Sequence, residues 1–140
     1  EKYLNGNKNR NILDPFCGSG TTLVEGILAG CNVIGVDIDP LSTLISKVKT
    51  TRVDVKELNK ISAWLTKEIK NKKKGDFKPE CESIEHWFTK EAINKLSIIR
   101  TLINQISEIF GNQKKIKDIQ DLLVICFSSI TENLCFTHKN

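Results

Sequence analysis

The order of apolar and polar positions indicates two strands and a helix at the start of the chain. Two short apolar runs, at residues 11–13 and 33–36, each lead into an acidic residue. Short apolar runs bounded by turn residues are typical of buried strands. The segment between them, residues 21–29, has apolar positions at helical spacing, and the following Gly30 is a typical helix stop. The pattern predicts a strand, a helix and a second strand in this order.

After the second strand the apolar positions recur at helical spacing only. Asp39 and Pro40 are a typical N-cap and first helical residue. They predict a helix whose apolar face is formed by Leu41, Leu44, Ile45 and Val48. Residues 53–140 contain no further convincing strand, and we expect them to be helical.

Three more helices are predicted in this second part. Asp54 and Glu57 form a capping-box-like pair before a helical stripe of Leu58, Ile61, Leu65 and Ile69. Thr89 is a suitable cap for a long helix that ends at Gly111. A last helix is predicted after Asp118. Between the first two of these helices, lysines at 70, 72, 73 and 74 precede a loop marked by Gly75 and Pro79.

The turn between the first strand and helix, residues 13–22, reads Leu-Asp-Pro-Phe-Cys-Gly-Ser-Gly-Thr-Thr. Asp37 follows Gly18 by nineteen residues and ends the second apolar run. A glycine turn followed at this distance by an acid is the arrangement of a nucleoside-binding βαβ unit. Leu23 stands where a dinucleotide fingerprint would have its third glycine, and the chain has no Gly-Lys pair for a phosphate loop.

The charge of Asp14 narrows the choice of nucleoside. A carboxylate beside a pyrophosphate is repelled, whereas one beside an ammonium or sulfonium group is attracted. S-adenosylmethionine carries both cations, and its carboxylate suits the N-terminus of the following helix. The pattern therefore favours S-adenosylmethionine over NAD or ATP.

The loop sequence and the later Val-Ile-Gly-Val-Asp-Ile-Asp-Pro-Leu-Ser closely resemble the first two motifs of amino-group DNA methyltransferases. These enzymes methylate adenine N6 or cytosine N4. The resemblance is strong over about the first forty residues from position 11 and faint from there to about position 110. It implies that the loop and the Thr21 hydroxyl hold the methionine end, with Asp14 facing its ammonium. Asp37 would take the ribose hydroxyls and Ile38 would lie against the adenine. The implied cofactor-binding residues are Asp14, Pro15, Phe16, Cys17, Gly18, Ser19, Gly20, Thr21, Asp37 and Ile38.

The resemblance implies an α/β fold, a partial Rossmann-like methyltransferase fold with one βαβ unit followed by a mostly helical C-terminal half. We expect residues 1–52 to be the S-adenosylmethionine-binding βαβα unit and residues 53–140 a helical segment of the same domain. A small parallel sheet is marginal alone and is normally covered on both faces. Self-association, or a partner chain that completes the sheet, is therefore predicted.

The family's catalytic tetrapeptide, Asp/Asn/Ser-Pro-Pro-aromatic, does not occur in the chain. The three prolines, at 15, 40 and 79, are never adjacent. We therefore assign no catalytic residue. The chain resembles an enzyme of this family cut off before its catalytic strand, and we expect it to be inactive alone. In the intact enzyme the partner would be DNA, within a restriction-modification system.

Composition and charge bear on the partner, the metal content and the location of the protein. The net charge of +4 agrees with a nucleic-acid partner. Five scattered cysteines without zinc spacing fit a reducing cytoplasm, and no metal site is predicted. Without a signal peptide or an 18-residue apolar run, neither secretion nor a membrane location is expected.

Two alternative functions stay open. RNA guanine-N2 methyltransferases share an Asp-Pro-x-Cys-Gly-Ser-Gly loop. A non-catalytic S-adenosylmethionine-binding subunit could also depend on a partner chain for the Pro-Pro motif. Two local features are open as well. The lysine run suits a DNA backbone, but a solvated helix end is favoured. The aromatic residues at 86–88 suit base stacking, but packing in the core is favoured.

Overall fold

The computed structural model describes residues 10–81 and 83–135. The chain divides into two compact units, an N-terminal unit, Glu1–Arg52, and a C-terminal unit, Val53–Asn140. Each unit is considered by itself.

The described part of the N-terminal unit is an α/β structure. It contains β1 (Asn11–Asp14), α1 (Thr21–Leu28), β2 (Asn32–Gly35) and α2 (Pro40–Thr50), in this order. The two strands form a parallel sheet in which Ile12 pairs with Val33 and Asp14 with Gly35. The predicted strand–helix–strand order is confirmed, although β2 begins and ends one residue earlier than predicted.

Close packing of α1 on the sheet depends on a glycine that the sequence did not single out. A Cβ at Gly26 would lie 2.7 Å from Cγ1 of Val33 and 3.1 Å from Cδ1 of Ile12. The helix therefore approaches both strands where its side chain is only a hydrogen. In a dinucleotide fold the third glycine of the loop has this role. Here Gly26, one turn further along, has it instead.

The other face of the two-stranded sheet is apolar and open. Leu13 and Ile34 face away from Ile12 and Val33, because successive strand residues alternate in direction. Their exposed fractions are 63% and 59%. Two paired apolar residues are thus left in contact with solvent.

Helix α2 begins as predicted but buries a different position. The Asp39 carboxylate accepts hydrogen bonds from the amide groups of Leu41 and Ser42, so the predicted N-cap is confirmed. The apolar face is only half-buried, and Leu41 is exposed. The buried α2 residue is Ser46, which lies against the backbone of Gly20. A Cβ at residue 20 would lie 2.7 Å from Cβ of Ser46, so this contact requires glycine at position 20.

The described part of the C-terminal unit is helical. It contains α3 (Val55–Asn71), α4 (Ile84–Trp87), α5 (Lys90–Phe110) and α6 (Lys114–Leu134). Of the residues that the structure describes, the most deeply buried large side chains are isoleucines of α3, α5 and α6, namely Ile61, Ile103, Ile106, Ile116 and Ile119. The predicted cap Thr89 and the predicted stop Gly111 are both confirmed. This unit has an ordinary helical core.

Two predicted helix starts in this unit need correction. Helix α6 begins at Lys114, not after Asp118, because Ile116 already belongs to its buried stripe and Lys114 pairs with Asp118 one turn on. Asp54 caps α3 as predicted. The second hydrogen bond of a capping box, from the Glu57 side chain back to the Asp54 amide, is replaced by ion pairs. The Glu57 carboxylate pairs with Lys115 and lies near Lys60.

The preference for core packing at residues 86–88 is wrong for Trp87. This residue ends the short helix α4, which the sequence did not predict, and it is exposed, as is His86. Phe88 is half-buried and lines an apolar pocket of about 240 Å³ together with Phe77 and Phe127. Phe88 therefore packs against other apolar residues, whereas Trp87 does not.

Candidate cofactor site

The glycine loop joins the carboxyl end of β1 to α1 in a tight, left-handed path. The Asp14 carboxylate accepts a hydrogen bond of 3.1 Å from the amide of Phe16. Gly18 and Gly20 have φ angles of 49° and 82°, which L side chains rarely adopt. The amide of Gly20 donates to the carbonyl of Cys17 at 2.8 Å and closes the turn. The two glycines are therefore needed for the loop path.

Asp37 connects the end of β2 to this loop. One carboxylate oxygen accepts the Gly18 amide at 2.7 Å, and the other accepts the Asp39 amide at 3.0 Å. A carboxylate offers about four acceptor sites, so each oxygen keeps capacity for a hydroxyl group. Asp37 thus holds the loop and keeps acceptors available at the same edge of the sheet.

Backbone pairing puts Asp14 at this edge as well. The carbonyl of Asp14 accepts the Val36 amide at 2.9 Å, and the carbonyl of Val36 accepts the Cys17 amide at 3.0 Å. The two strand ends and the loop are therefore connected directly. The Asp14 carboxylate, by contrast, accepts a hydrogen bond inside its own turn.

Tight packing beneath the loop fixes its inner side. Cys17 is buried, and its thiol lies 3.8 Å from the Ser46 hydroxyl. A Cβ at Gly20 would lie 2.7 Å from Cβ of Ser46, and one at Gly35 would lie 3.0 Å from Sγ of Cys17. Sequence reasoning missed Ser46 and Gly35. The available signal for Ser46 was a small polar residue directly after the apolar pair Leu44 and Ile45.

The outer side of the loop presents exposed groups. Phe16 is 87% exposed and Ile38 is 99% exposed, although both are large and apolar. Pro15, Ser19 and Thr21 are also exposed. Among the described residues, no side chain caps the N-terminus of α1, where Gly20 is the N-cap. The first amide groups of this helix are therefore open to an external acceptor.

Asp39 has a structural role beside the site. Its pKa is lowered by a hydrogen bond from the Ser42 hydroxyl and by the backbone amides at the start of α2. These contacts stabilise the charged form of the cap. Asp39 therefore organises α2, while Asp37 connects to the loop.

The family model described as DNA methylase matches residues 4–48, a stretch that contains this entire site. The type II methyltransferase M.MvaI of Kocuria varians is 32% identical over 139 residues, which cover 94% of this chain. The chain belongs to the amino-group DNA methyltransferase family. The predicted resemblance is thereby confirmed.

Two further relatives are also named type II methyltransferases. M.MjaII of Methanocaldococcus jannaschii is 41% identical over 95 residues, or 61% of this chain and 18% of the relative. M.BsoBI of Geobacillus stearothermophilus is 46% identical over 43 residues, or 31% of this chain and 8% of the relative. The chain spans 29% of the length of M.MvaI. No solved structure matches it significantly.

Within residues 10–81 and 83–135, no group of three or more His, Cys, Asp or Glu is arranged to hold a metal ion. No helix in this part of the chain is both long and apolar enough to cross a membrane.

Proposed function

We propose that this chain is the S-adenosylmethionine-binding part of a DNA methyltransferase that modifies adenine N6 or cytosine N4. The observation that carries the proposal is the Asp37 carboxylate bonded to the Gly18 amide at the carboxyl ends of two parallel strands. Ligands of open α/β sheets bind at this edge. We further propose a restriction-modification role, because three relatives are named type II methyltransferases.

The residues at the loop fit the chemistry of this cofactor. Asp37 keeps acceptors for ribose hydroxyls, and the carboxylate of Asp14 gives the loop negative charge that suits an ammonium or sulfonium group. The uncapped start of α1 suits a carboxylate. Phe16 and Ile38 offer apolar surface to an adenine ring. This arrangement supports a Rossmann-like cofactor site.

The role of these residues would be to bind and orient. The bound cofactor supplies an electrophilic methyl group. Holding a methyl donor in line with an amine lowers the entropic part of the barrier, which is a large contribution to catalysis. The Gly18 and Gly20 turn and the Asp37 contact would fix one reactant. The grip on the target amine is proposed to come from residues other than those of this chain, since it has no Pro-Pro pair.

DNA is the proposed substrate, in preference to RNA. The matching family model is a DNA methylase model and covers the loop that RNA guanine-N2 methyltransferases share. We also propose that another copy or a partner chain completes the sheet and covers Leu13 and Ile34. Both are paired in register on the open sheet face.

The decisive experiment is isothermal calorimetry with S-adenosylhomocysteine on the wild type and on Asp37→Ala. We expect the substitution to weaken binding by about 1.5–3 kcal/mol, the range for a charge-assisted hydrogen bond. This corresponds to a roughly 10- to 150-fold higher Kd.

Asp54→Ala is the matched control. Asp54 also accepts two backbone amides at a helix start, but it lies in the C-terminal unit. Its removal should leave the Kd unchanged. A wild-type chain that does not bind S-adenosylhomocysteine, or equal Kd changes in both variants, would overturn the proposal.

Methyl transfer gives a second test. Incubation of the chain with labelled S-adenosylmethionine and duplex DNA should give no incorporation above background. Incorporation by this chain alone would show that the target-binding groups lie within it.

A further inference from the structure

The lysine loop, defined as residues 72–78, is a second charged feature of the chain. It lies beyond α3, which ends at Asn71, and contains Lys72, Lys73, Lys74 and Lys78. Of the predicted lysine run, Lys70 lies in the last turn of α3 and Lys72 is its C-cap, whereas Lys73 and Lys74 lie beyond the helix.

Side chains of α5 hold the backbone of the lysine loop. The Asn94 amide donates to the carbonyl of Lys73 at 3.0 Å. The Thr101 hydroxyl oxygen accepts the amides of Asp76 and Phe77 at 2.9 and 3.0 Å. The Ser97 hydroxyl donates to the carbonyl of Phe77 at 2.6 Å. Four hydrogen bonds thus fix a segment that has no regular secondary structure.

Close contact reinforces these bonds. A Cβ at Gly75 would clash with the backbone of Ser97 and Ile98, so the loop backbone lies directly on α5. The Arg100 guanidinium lies 5.8 Å from the centre of the Phe77 ring, within range of a cation–π contact. The loop is therefore anchored at both its middle and its end.

The charge of the loop is not cancelled locally. Asp76 pairs with Lys72 at 3.2 Å. Within the described residues, Lys73, Lys74 and Lys78 form no ion pair, and all three are exposed. Arg100, beside Phe77, also has one guanidinium nitrogen that is buried without a hydrogen-bond partner among the described residues.

We propose that the lysine loop is a preorganised surface for the phosphate backbone of duplex DNA. This inference rests on the proposed function, which makes DNA the partner. Lysines binding phosphates release condensed counterions, and this favours association. Because α5 already orders the loop backbone, binding loses less conformational entropy than with a flexible basic segment.

The experiment measures binding of this chain to a labelled duplex by fluorescence anisotropy across a salt series. The test variant is K73Q/K74Q/K78Q. The control is K56Q/K90Q/K117Q, which removes the same charge from three exposed lysines elsewhere in the C-terminal unit. Circular dichroism checks that both variants keep the helical content of the wild type.

We expect the test variant to reduce the slope of log K against log salt by about 2 to 3, since each phosphate contact contributes about 0.9. The control should change the slope by less than about 0.5. Equal slopes in the two variants, or no duplex binding by the wild type, overturns the inference.

The outcome is independent of cofactor binding. A chain that binds S-adenosylhomocysteine but shows equal slopes retains the proposed function and loses this inference. If DNA binding depends on the lysine loop but the chain binds no S-adenosylhomocysteine, this inference is retained and the proposed function is lost.

Discussion

The two units differ in where their large apolar side chains lie. The C-terminal unit buries five isoleucines almost completely. The described part of the N-terminal unit instead exposes many of its large apolar residues, namely Leu13, Phe16, Ile27, Leu28, Ile34, Val36, Ile38 and Leu41. Its buried positions are filled mainly by small residues, including Cys17, Gly20, Gly26 and Ser46.

The two units therefore use their buried residues for different purposes. In the C-terminal unit, burial of apolar area supplies stability. In the N-terminal unit, small residues allow backbone segments to approach, and the approach shapes the loop. Core substitutions should therefore affect stability in one unit, and glycine substitutions should affect the cofactor site in the other.

The largest effect is expected from Ile106→Ala. Ile106 is fully buried in the core, and truncating such a residue costs about 2–5 kcal/mol. Urea unfolding followed by circular dichroism measures the loss. The control is Ile109→Ala on the same helix, where the side chain is 52% exposed. Similar losses for both variants would show that the isoleucine cluster is not the stabilising core.

The next effect is expected from Gly20→Ala. The alanine would need a left-handed backbone and would press on Ser46, for a combined cost of about 2–4 kcal/mol. We expect a large loss of S-adenosylhomocysteine affinity in calorimetry. In Gly18→Ala the backbone is also left-handed, but no atom lies within 4 Å of the new Cβ. Equal affinities for the two variants would refute the proposed importance of the Ser46 contact.

Thr101→Val should destabilise the C-terminal unit by about 2 kcal/mol. Valine keeps the shape but leaves the amides of Asp76 and Phe77 without their acceptor. Thermal unfolding measures this loss. Thr66→Val, which removes only an exposed hydroxyl that donates within α3, is the control. If the control loses as much stability, the lysine loop is not held by Thr101.

The smallest effects are expected in the stability of the fold at low pH. Hydrogen bonds from Ser42 lower the pKa of Asp39, and the Lys95 side chain lowers that of Glu91. A lowered pKa stabilises the fold above the ordinary value, and this contribution disappears as the pH falls through the folded value. Asp39→Asn and Glu91→Gln should therefore be less stable than the wild type at neutral pH. Melting curves should approach those of the wild type only as the pH falls below the lowered pKa of each carboxyl, which lies below its ordinary value. A difference that persists in acid would exclude this linkage.

Local signals were sufficient for much of the fold. Asp39, Thr89 and Gly111 mark helix ends through hydrogen bonds and backbone angles that involve only nearby residues. Such signals can be recognised without knowing the tertiary structure. The start of α6 was missed because Asp118, a polar residue, is buried within the helix and paired with Lys114.

The candidate cofactor site shows the same division. Its loop residues and the spacing from Gly18 to Asp37 are visible in the amino-acid order, because a glycine turn and an acid are needed at that distance along the chain. The close contacts at Gly26 and Ser46 are visible only in three dimensions. Each is set by a contact with a residue distant in sequence, Val33 for the first and Gly20 for the second. Local chemistry thus follows from the order of residues, whereas the closeness of packed segments depends on the folded chain.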